Sequence, residues 1–386
     1  MWTNLKDGKI GISYINHFNT DRFDVKIAGM VKNFDISNFI KKNVVKNLDL
    51  FIQYGLAAGI QAIEDSGIYK YKNLNRSSVG VIFGSGIGGL EIIEQNIRFV
   101  NEGKKLKPSF IPGCIINTIA GYLSKIYKFT GPSLAVSTAC ATGGHVICMA
   151  DNLIKSNKAK IIIAGGAEKA STPLALAGFS SMKALSKNKN PFQASRPWDL
   201  ARDGFVISDG SACLVLEEYE HAMNRNANVY AELIASEINN DAYHMIAPDP
   251  NGVGIYNCMN NVLKSAMLDI TNIDYINAHA TSTILGDISE SIAISQLLNG
   301  KKNIPINSVK SMMGHMLGAS GSIEAIITIL SIKEQLVLAN INLDNIDKKC
   351  LGLNFVSKNI KMNINYAISN CFGFGGMNSS IVLKKI

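Results

Sequence analysis

At 386 residues, with 47% hydrophobic and 18% charged residues, the chain can bury a large core in two domains or two fused halves, and it has no acidic or basic tail. No apolar run is long enough to span a bilayer and the opening MWTNLKDGKIG has no apolar signal-peptide core, so no membrane association and a cytoplasmic location are expected. The net charge of +8 invites an acidic partner, but no basic-aromatic stripe runs through the sequence, which argues against nucleic acid.

Residues 1–47 are mixed and contain a basic stretch from Lys41 and Lys42 to Lys46. A helix is predicted from about Leu48 to Asp65, stopped by Gly67. Ser78 to Phe83 reads as a strand feeding the turn GSGIGG at 84–89. That turn fits the glycine pattern of a dinucleotide site. No acidic residue stands on a second strand end about 20 residues on, so a close-packed turn is the better reading.

The stretch from Ser133 to His145, SLAVSTACATGGH, is the most informative. Leu134, Ala135 and Val136 fit a buried strand, and Val146, Ile147, Met149, Ala150, Leu153 and Ile154 have helical spacing. A strand that bends into a helix through small residues exposes whatever sits at the bend, and here that is Cys140. The helix dipole there favours the thiolate, hence a nucleophile; a buried structural cysteine is the alternative.

Beyond this point 160–164 reads as a buried strand, 195–210 as a loop-rich stretch and 211–217 as a strand, with a charged helix to about Asn226. From near Val229 the rhythm repeats: helix at about 253–268, strand at 274–278, helix at 287–298, strand near 304–308, helix at 321–334. A strand from Ala367 to Asn370 runs into the turn CFGFGG at 371–376, and a last strand covers 379–383. The alternation implies a layered α/β fold of two similar halves, 1–228 and 229–386, with helices on both faces of the sheets.

The seven cysteines are scattered and form no C-x-x-C pair, which fits reduced thiols rather than disulfides or a zinc site. Two histidines stand at strand ends in runs of small residues: His279 in INAHATSTILGD, and His315 in SVKSMMGHMLGASGSIEA with Lys310 before it and Glu324 after it. Ligand sites gather at such strand ends, whereas His17, His145, His221 and His244 read as structural. One Cys with two such His residues suggests thiolate chemistry with two imidazole donors. No third ligand has suitable spacing for a metal.

The set resembles the β-ketoacyl-acyl carrier protein synthases of the thiolase fold, and within them the type II elongating synthases. STACATGG around Cys140, NAHATSTILGD around His279, KSMMGHMLGASGSIEA around His315 and SNCFGFGGMN at 369–378 match that family in order. So do GSGIGG at 84–89, AGGAEKASTPLA at 164–175, SRPWDLARDGF at 195–205 and DAYHM at 241–245. The likeness covers nearly the whole chain and retires the dinucleotide reading.

The resemblance implies a layered α-β-α-β-α fold, no cofactor, and a homodimer working on acyl carrier protein thioesters. Cys140 would take the acyl group as a thioester. His279 and His315 would help decarboxylate malonyl-carrier and hold the enolate, and the carbanion would attack acyl-Cys140 to give a β-ketoacyl product. The oxyanion hole would be the backbone N–H groups of Cys140 and Phe374. Lys310 would order the site, with the carboxylate of Glu324 behind it; a purely structural ion pair is the alternative. Thr281 and Thr283 would bond the phosphopantetheine arm, and Phe374 would gate the acyl pocket. Ile87 would line that pocket's distal end and Phe110 its dimer-facing wall. Lys42 and Lys46 would receive the acidic carrier. A type I or polyketide-type ketosynthase, and a non-catalytic dimerising partner or degenerate synthase, are the alternatives; Cys140 argues against the last two.

Three departures stand out: Ala280 for the usual Gly, Ile284 for Pro, and Met377 for Thr beside the Phe374 turn, which removes a hydroxyl and is expected to loosen it. The family's opening strand is also missing from the sequence, and an upstream start is expected. That strand is expected in the middle of a buried parallel sheet.

Overall fold

The computed structural model describes residues 1–301 and 303–386, apart from the side chain of Lys42. The first half forms a four-stranded sheet from β1 (Val79–Gly84), β2 (Ser133–Val136), β3 (Ile161–Glu168) and β4 (Gly210–Glu217), in the order β2-β1-β3-β4. The first three are parallel and β4 runs antiparallel to β3. The second half forms a six-stranded sheet from β5 (Glu232–Asn240), β6 (Tyr275–Asn277), β7 (Pro305–Asn307), β8 (Asn354–Phe355), β9 (Tyr366–Gly373) and β10 (Met377–Lys384). Its order is β8-β7-β6-β9-β10-β5. The run β7-β6-β9-β10 repeats β2-β1-β3-β4, so the two halves share one topology.

The helices used below are α1 (Lys42–Val45), α2 (Leu50–Ser66), α3 (Phe110–Cys114), α4 (Thr142–Lys155), α5 (Val253–Ser265), α6 (Ile284–Leu298) and α7 (Ser320–Glu334). α2 is capped by Asp49, whose side chain accepts from Phe51 N–H, and stops at Gly67 in the left-handed region. It covers the outer face of the first sheet, α5 and α6 cover the outer face of the second, and α4 with α7 fill the layer between the sheets. This is the α-β-α-β-α order. β3 is buried along its whole length, as a parallel strand covered on both faces must be, and its Ile161-Ile162-Ile163 run fits that demand.

Two expectations change. The apolar run of β2 does not make it a buried strand: it is the edge of the first sheet, and Leu134 is 40% exposed. Nor does the middle of that sheet have room for another strand, because Val79–Gly84 pairs residue by residue with Ile161–Gly166. The second half shows where a further strand fits. β5, which has no counterpart in the first half, lies along the outer side of β10, and Asn378 to Leu383 are all buried. The equivalent edge of β4 has no strand beside it among the described residues. There Leu214 to Glu217 stay half-buried beside a cavity of about 680 Å³ bounded by α2, α4 and α7.

The central layer is tight because glycines sit at its crossing. A methyl group on Gly321 of α7 would stand 2.2 Å from the backbone nitrogen of Gly144 in α4. Alanine is the better helix former, so any loss in Gly321→Ala comes from that contact. We expect the variant to be less stable by about 1–3 kcal/mol, measured as a lower urea midpoint. An unchanged midpoint would mean that the two helices can part freely.

Candidate active site

Cys140 sits where β2 turns into α4. Ala139 is held in the left-handed region (φ 49), a backbone conformation that costs a non-glycine residue free energy and persists at functional turns. The turn is closed by Ala141 N–H donating to Thr138 C=O and by Thr142 Oγ1, which accepts from Thr138 N–H and donates to Ala139 C=O. The side chain of Cys140 is buried. The backbone N–H groups of Phe374 and of Cys140 itself lie near enough to its sulfur to favour the charged form.

The resting thiol is not favoured as thiolate. Burial pushes its pKa up to about 12, with the nearby Glu168 carboxylate adding to the rise. Lys310 and the two amide donors pull the other way and do not prevail. The helix dipole is outweighed because the sulfur is cut off from water.

The second half brings in the imidazoles. His279 follows β6 and His315 precedes α7, and their ring centroids lie 5.3 Å apart with planes at 83°. Glu290, buried in α6, fixes the first turn by accepting from His279 N–H (2.9 Å) and Ala280 N–H (2.7 Å). Burial raises its pKa to about 7. Lys310 is buried between the side chains of Glu324, with which it pairs, and His279, whose Nδ1 lies 3.5 Å from its Nζ. An ammonium can only donate, so Nδ1 of His279 is the acceptor and its proton sits on Nε2. His315 Nδ1 contacts Ser320 Oγ at 2.9 Å, and its buried Nε2 has no partner among the described residues.

Both imidazoles have pKa values well below 6.5, through burial first and the Lys310 charge second. They are neutral donors at neutral pH. Cys371 joins the two groups: its thiol donates to Cys140 C=O at 3.1 Å and lies within 4.8 Å of the His279 ring and the Glu324 carboxylate. His279, Glu324 and Cys371 thus have donor atoms close enough for an ion, but the cation seated among them is the Lys310 ammonium.

The other residues singled out from the sequence lie on several different elements. The Thr281 and Thr283 hydroxyls lie 3.0 Å apart on the loop between β6 and α6. Phe374 is half-buried on the β9–β10 turn, with its ring 6.5 Å from that of Phe179. The turn beside Met377 is held by three hydrogen bonds: Asn240 donates to Gly375 C=O, Asp241 N–H to Gly376 C=O, and Gly375 N–H to Met245 C=O. Ile87 is 38% exposed on the glycine-rich turn, and Phe110 is half-buried at the start of α3. Lys46 is exposed just after α1, while the Lys42 side chain lies outside the described residues. His17, His145, His221 and His244 each have a structural partner: Ser171 C=O, Asn378 C=O, Glu217, and the N–H groups of Ile246 and Ala247.

Sequence reasoning gave no role to Glu290, Glu168, Cys371 or Ser320. Glu168 could have been suspected, since it stands in the AGGAEKASTPLA motif as an acid at the end of an all-apolar strand.

Residues 1–222 match the beta-ketoacyl synthase N-terminal domain and residues 230–344 its C-terminal domain. The 3-oxoacyl-acyl-carrier-protein synthase 2 of Vibrio harveyi is 47% identical over 391 residues, covering 100% of this chain and 94% of that protein. Its namesake from Vibrio cholerae is 46% identical with the same coverage. Among solved structures, a type II polyketide ketosynthase in complex with its acyl-carrier protein superposes with a TM-score of 0.91 at 31% identity, covering 100% of this chain and 94% of that one.

The lowered imidazole pKa values have a consequence for stability. Below 6.5 the unfolded chain takes up protons on these histidines before the folded one does. Their contribution is therefore complete above that value and is lost as pH falls. Glu290 and Glu324, raised from 4.5 to about 7, act in the opposite sense, so the comparison must be between variants. The drop in urea midpoint from about pH 7 to about pH 5 should be smaller in His315→Gln than in the wild type. An equal drop would mean that His315 is protonated within the fold.

Proposed function

The chain belongs to the β-ketoacyl synthase family, and from that premise we propose that it is the acyltransferase of type II fatty-acid elongation. It condenses an acyl thioester with malonyl-acyl carrier protein to give 3-oxoacyl-acyl carrier protein and CO₂. The observation that supports this reading is the His279–His315 ring pair, with 5.3 Å between centroids and His315 Nε2 unpartnered among the described residues, joined to Cys140 through Cys371, whose thiol donates to Cys140 C=O and lies within 4.8 Å of a His279 ring nitrogen.

In the first half-reaction the acyl carbonyl oxygen accepts from Cys140 N–H and Phe374 N–H. The Cys140 sulfur bonds to the carbonyl carbon, the carrier's C–S bond breaks, and the thiol proton ends on the released carrier thiol. In the second, the malonyl thioester oxygen accepts from Nε2–H of His279 and of His315. Loss of CO₂ leaves its electron pair as the enolate, whose charge those two neutral donors hold. The enolate carbon then attacks acyl-Cys140, a C–C bond forms, the C–S bond breaks, and the Cys140 sulfur takes a proton from water. Lys310 and Glu324 keep His279 in the donating tautomer. Thr281 and Thr283 hold the phosphopantetheine arm, Phe374 gates the pocket that Ile87 and Phe110 line, and Lys42 and Lys46 meet the acidic carrier.

The two halves, 1–228 and 229–386, supply the nucleophile and the imidazoles respectively. The working form is a cytoplasmic homodimer. β2 supports that assembly, because an edge strand with an exposed leucine offers unpaired N–H and C=O groups to a second copy. Leu134→Lys should then sediment as a monomer where the wild type is a dimer; a dimeric variant, or a monomeric wild type, would place the contact elsewhere or remove it.

Labelled acyl-acyl carrier protein should transfer its label to Cys140 in the wild type, and Cys140→Ala should take none. His279→Ala should still be labelled but form β-ketoacyl product at least about 10²-fold more slowly, the scale of losing one donor to a developing oxyanion. A folded wild type that takes no label would refute the reading.

A further inference from the structure

Glu168 ends β3 and is fully buried. Its carboxylate accepts four hydrogen bonds and touches no cation among the described residues. Oε1 accepts from Ser85 Oγ (2.7 Å) and Ile87 N–H (3.2 Å), and Oε2 from Gly86 N–H (2.7 Å) and Gly318 N–H (2.9 Å). Three of these donors belong to the glycine-rich turn and the fourth to the turn that follows His315. The packing leaves no slack: methyl groups on Gly86 or Gly318 would each stand 2.8 Å from Oε2. The same turn touches the nucleophile's own turn, where Ser137 Oγ donates to Gly86 C=O at 3.3 Å. Ser85 Oγ also accepts from Gly88 N–H at 2.9 Å, so the carboxylate organises the turn on both sides of Ile87. Successive backbone N–H groups closing on one anion form a nest. Here the nest closes on a carboxylate that the protein itself supplies; burial raises its pKa, and the four donors act against that rise.

We propose that Glu168 is a positioning residue that fixes Ile87, the wall of the acyl pocket, relative to Cys140 and to the His315 turn, and so sets which acyl chain lengths are accepted. The inference rests on the condensing-enzyme reading for the role of Ile87. The negative charge near Cys140 also helps to keep the resting thiol protonated, against the pull of Lys310.

The informative change is Glu168→Gln. With its amide oxygen toward Gly86 and Gly318 it keeps those two bonds. Its NH₂ then faces Ser85, whose hydroxyl can turn to accept, and Ile87 N–H, which loses its acceptor. Ser85→Ala loosens the same turn without touching the charge. The readouts are the rates at which myristoyl- and hexanoyl-acyl carrier protein label Cys140, and the rate at which iodoacetamide alkylates Cys140 at mildly alkaline pH.

We expect the myristoyl-to-hexanoyl ratio to change about five-fold or more in both variants, the worth of one hydrogen bond. Alkylation should be faster than wild type in Glu168→Gln and unchanged in Ser85→Ala. Equal loss with both acyl groups would reduce Glu168 to a structural part, and an unchanged ratio or unchanged alkylation in a folded Glu168→Gln would overturn the proposal. A wild type that is labelled but never condenses would sink the functional reading and leave these acylation measurements intact.

Discussion

The site depends on one buried cation. Lys310 is enclosed with Glu324 on one side and His279 Nδ1 on the other. Taking an ammonium out of water is costly unless a partner and hydrogen bonds replace the water. Here the replacement does chemical work as well, because an ammonium facing Nδ1 forces the imidazole proton to Nε2. The same charge disfavours protonation of both rings. One side chain thereby sets the tautomer of one histidine and the charge of two, before any substrate arrives.

A second constraint is the conflict at Cys140. A helix N-terminus and two amide donors favour the thiolate, while burial and Glu168 oppose it, and burial dominates. A protonated resting thiol is the consequence. On the proposed reading the amide donors act on an acyl oxygen, and burial strengthens them for the same reason that it weakens the thiolate.

Much of this was legible in the sequence because the relevant segments are short, local and patterned. The strand-to-helix bend at Cys140, the strand ends at His279 and His315, and the repeated element order all follow from residue type and spacing. What was not legible depends on which surface faces which. The β2 run Leu134-Ala135-Val136 has the composition of a buried strand, and only the strand order shows it to be an edge. Dipole reasoning at Cys140 used local geometry alone, whereas the pKa is set first by burial and then by Glu168 of β3 and Lys310 of the second half. Glu290 and Glu168 carry no local signature, since each acts through backbone amides that are distant in sequence.

The shared topology explains why the candidate catalytic groups converge. α4 and α7 occupy the same layer, each entered from a strand of its own half, and the glycines at their crossing let the two entry turns approach. Cys140 precedes α4 and His315 precedes α7 by a few residues, so the packing of the two helices brings these two entry turns together. The charges follow the same division. The first half contributes a buried anion, Glu168, the second a buried cation, Lys310, and the nucleophile feels both. A site assembled in this way is precise only while the two halves stay in register. The carboxylate of Glu168, bonded to Gly86 of the first half and Gly318 of the second, is one of the bonds that holds them there.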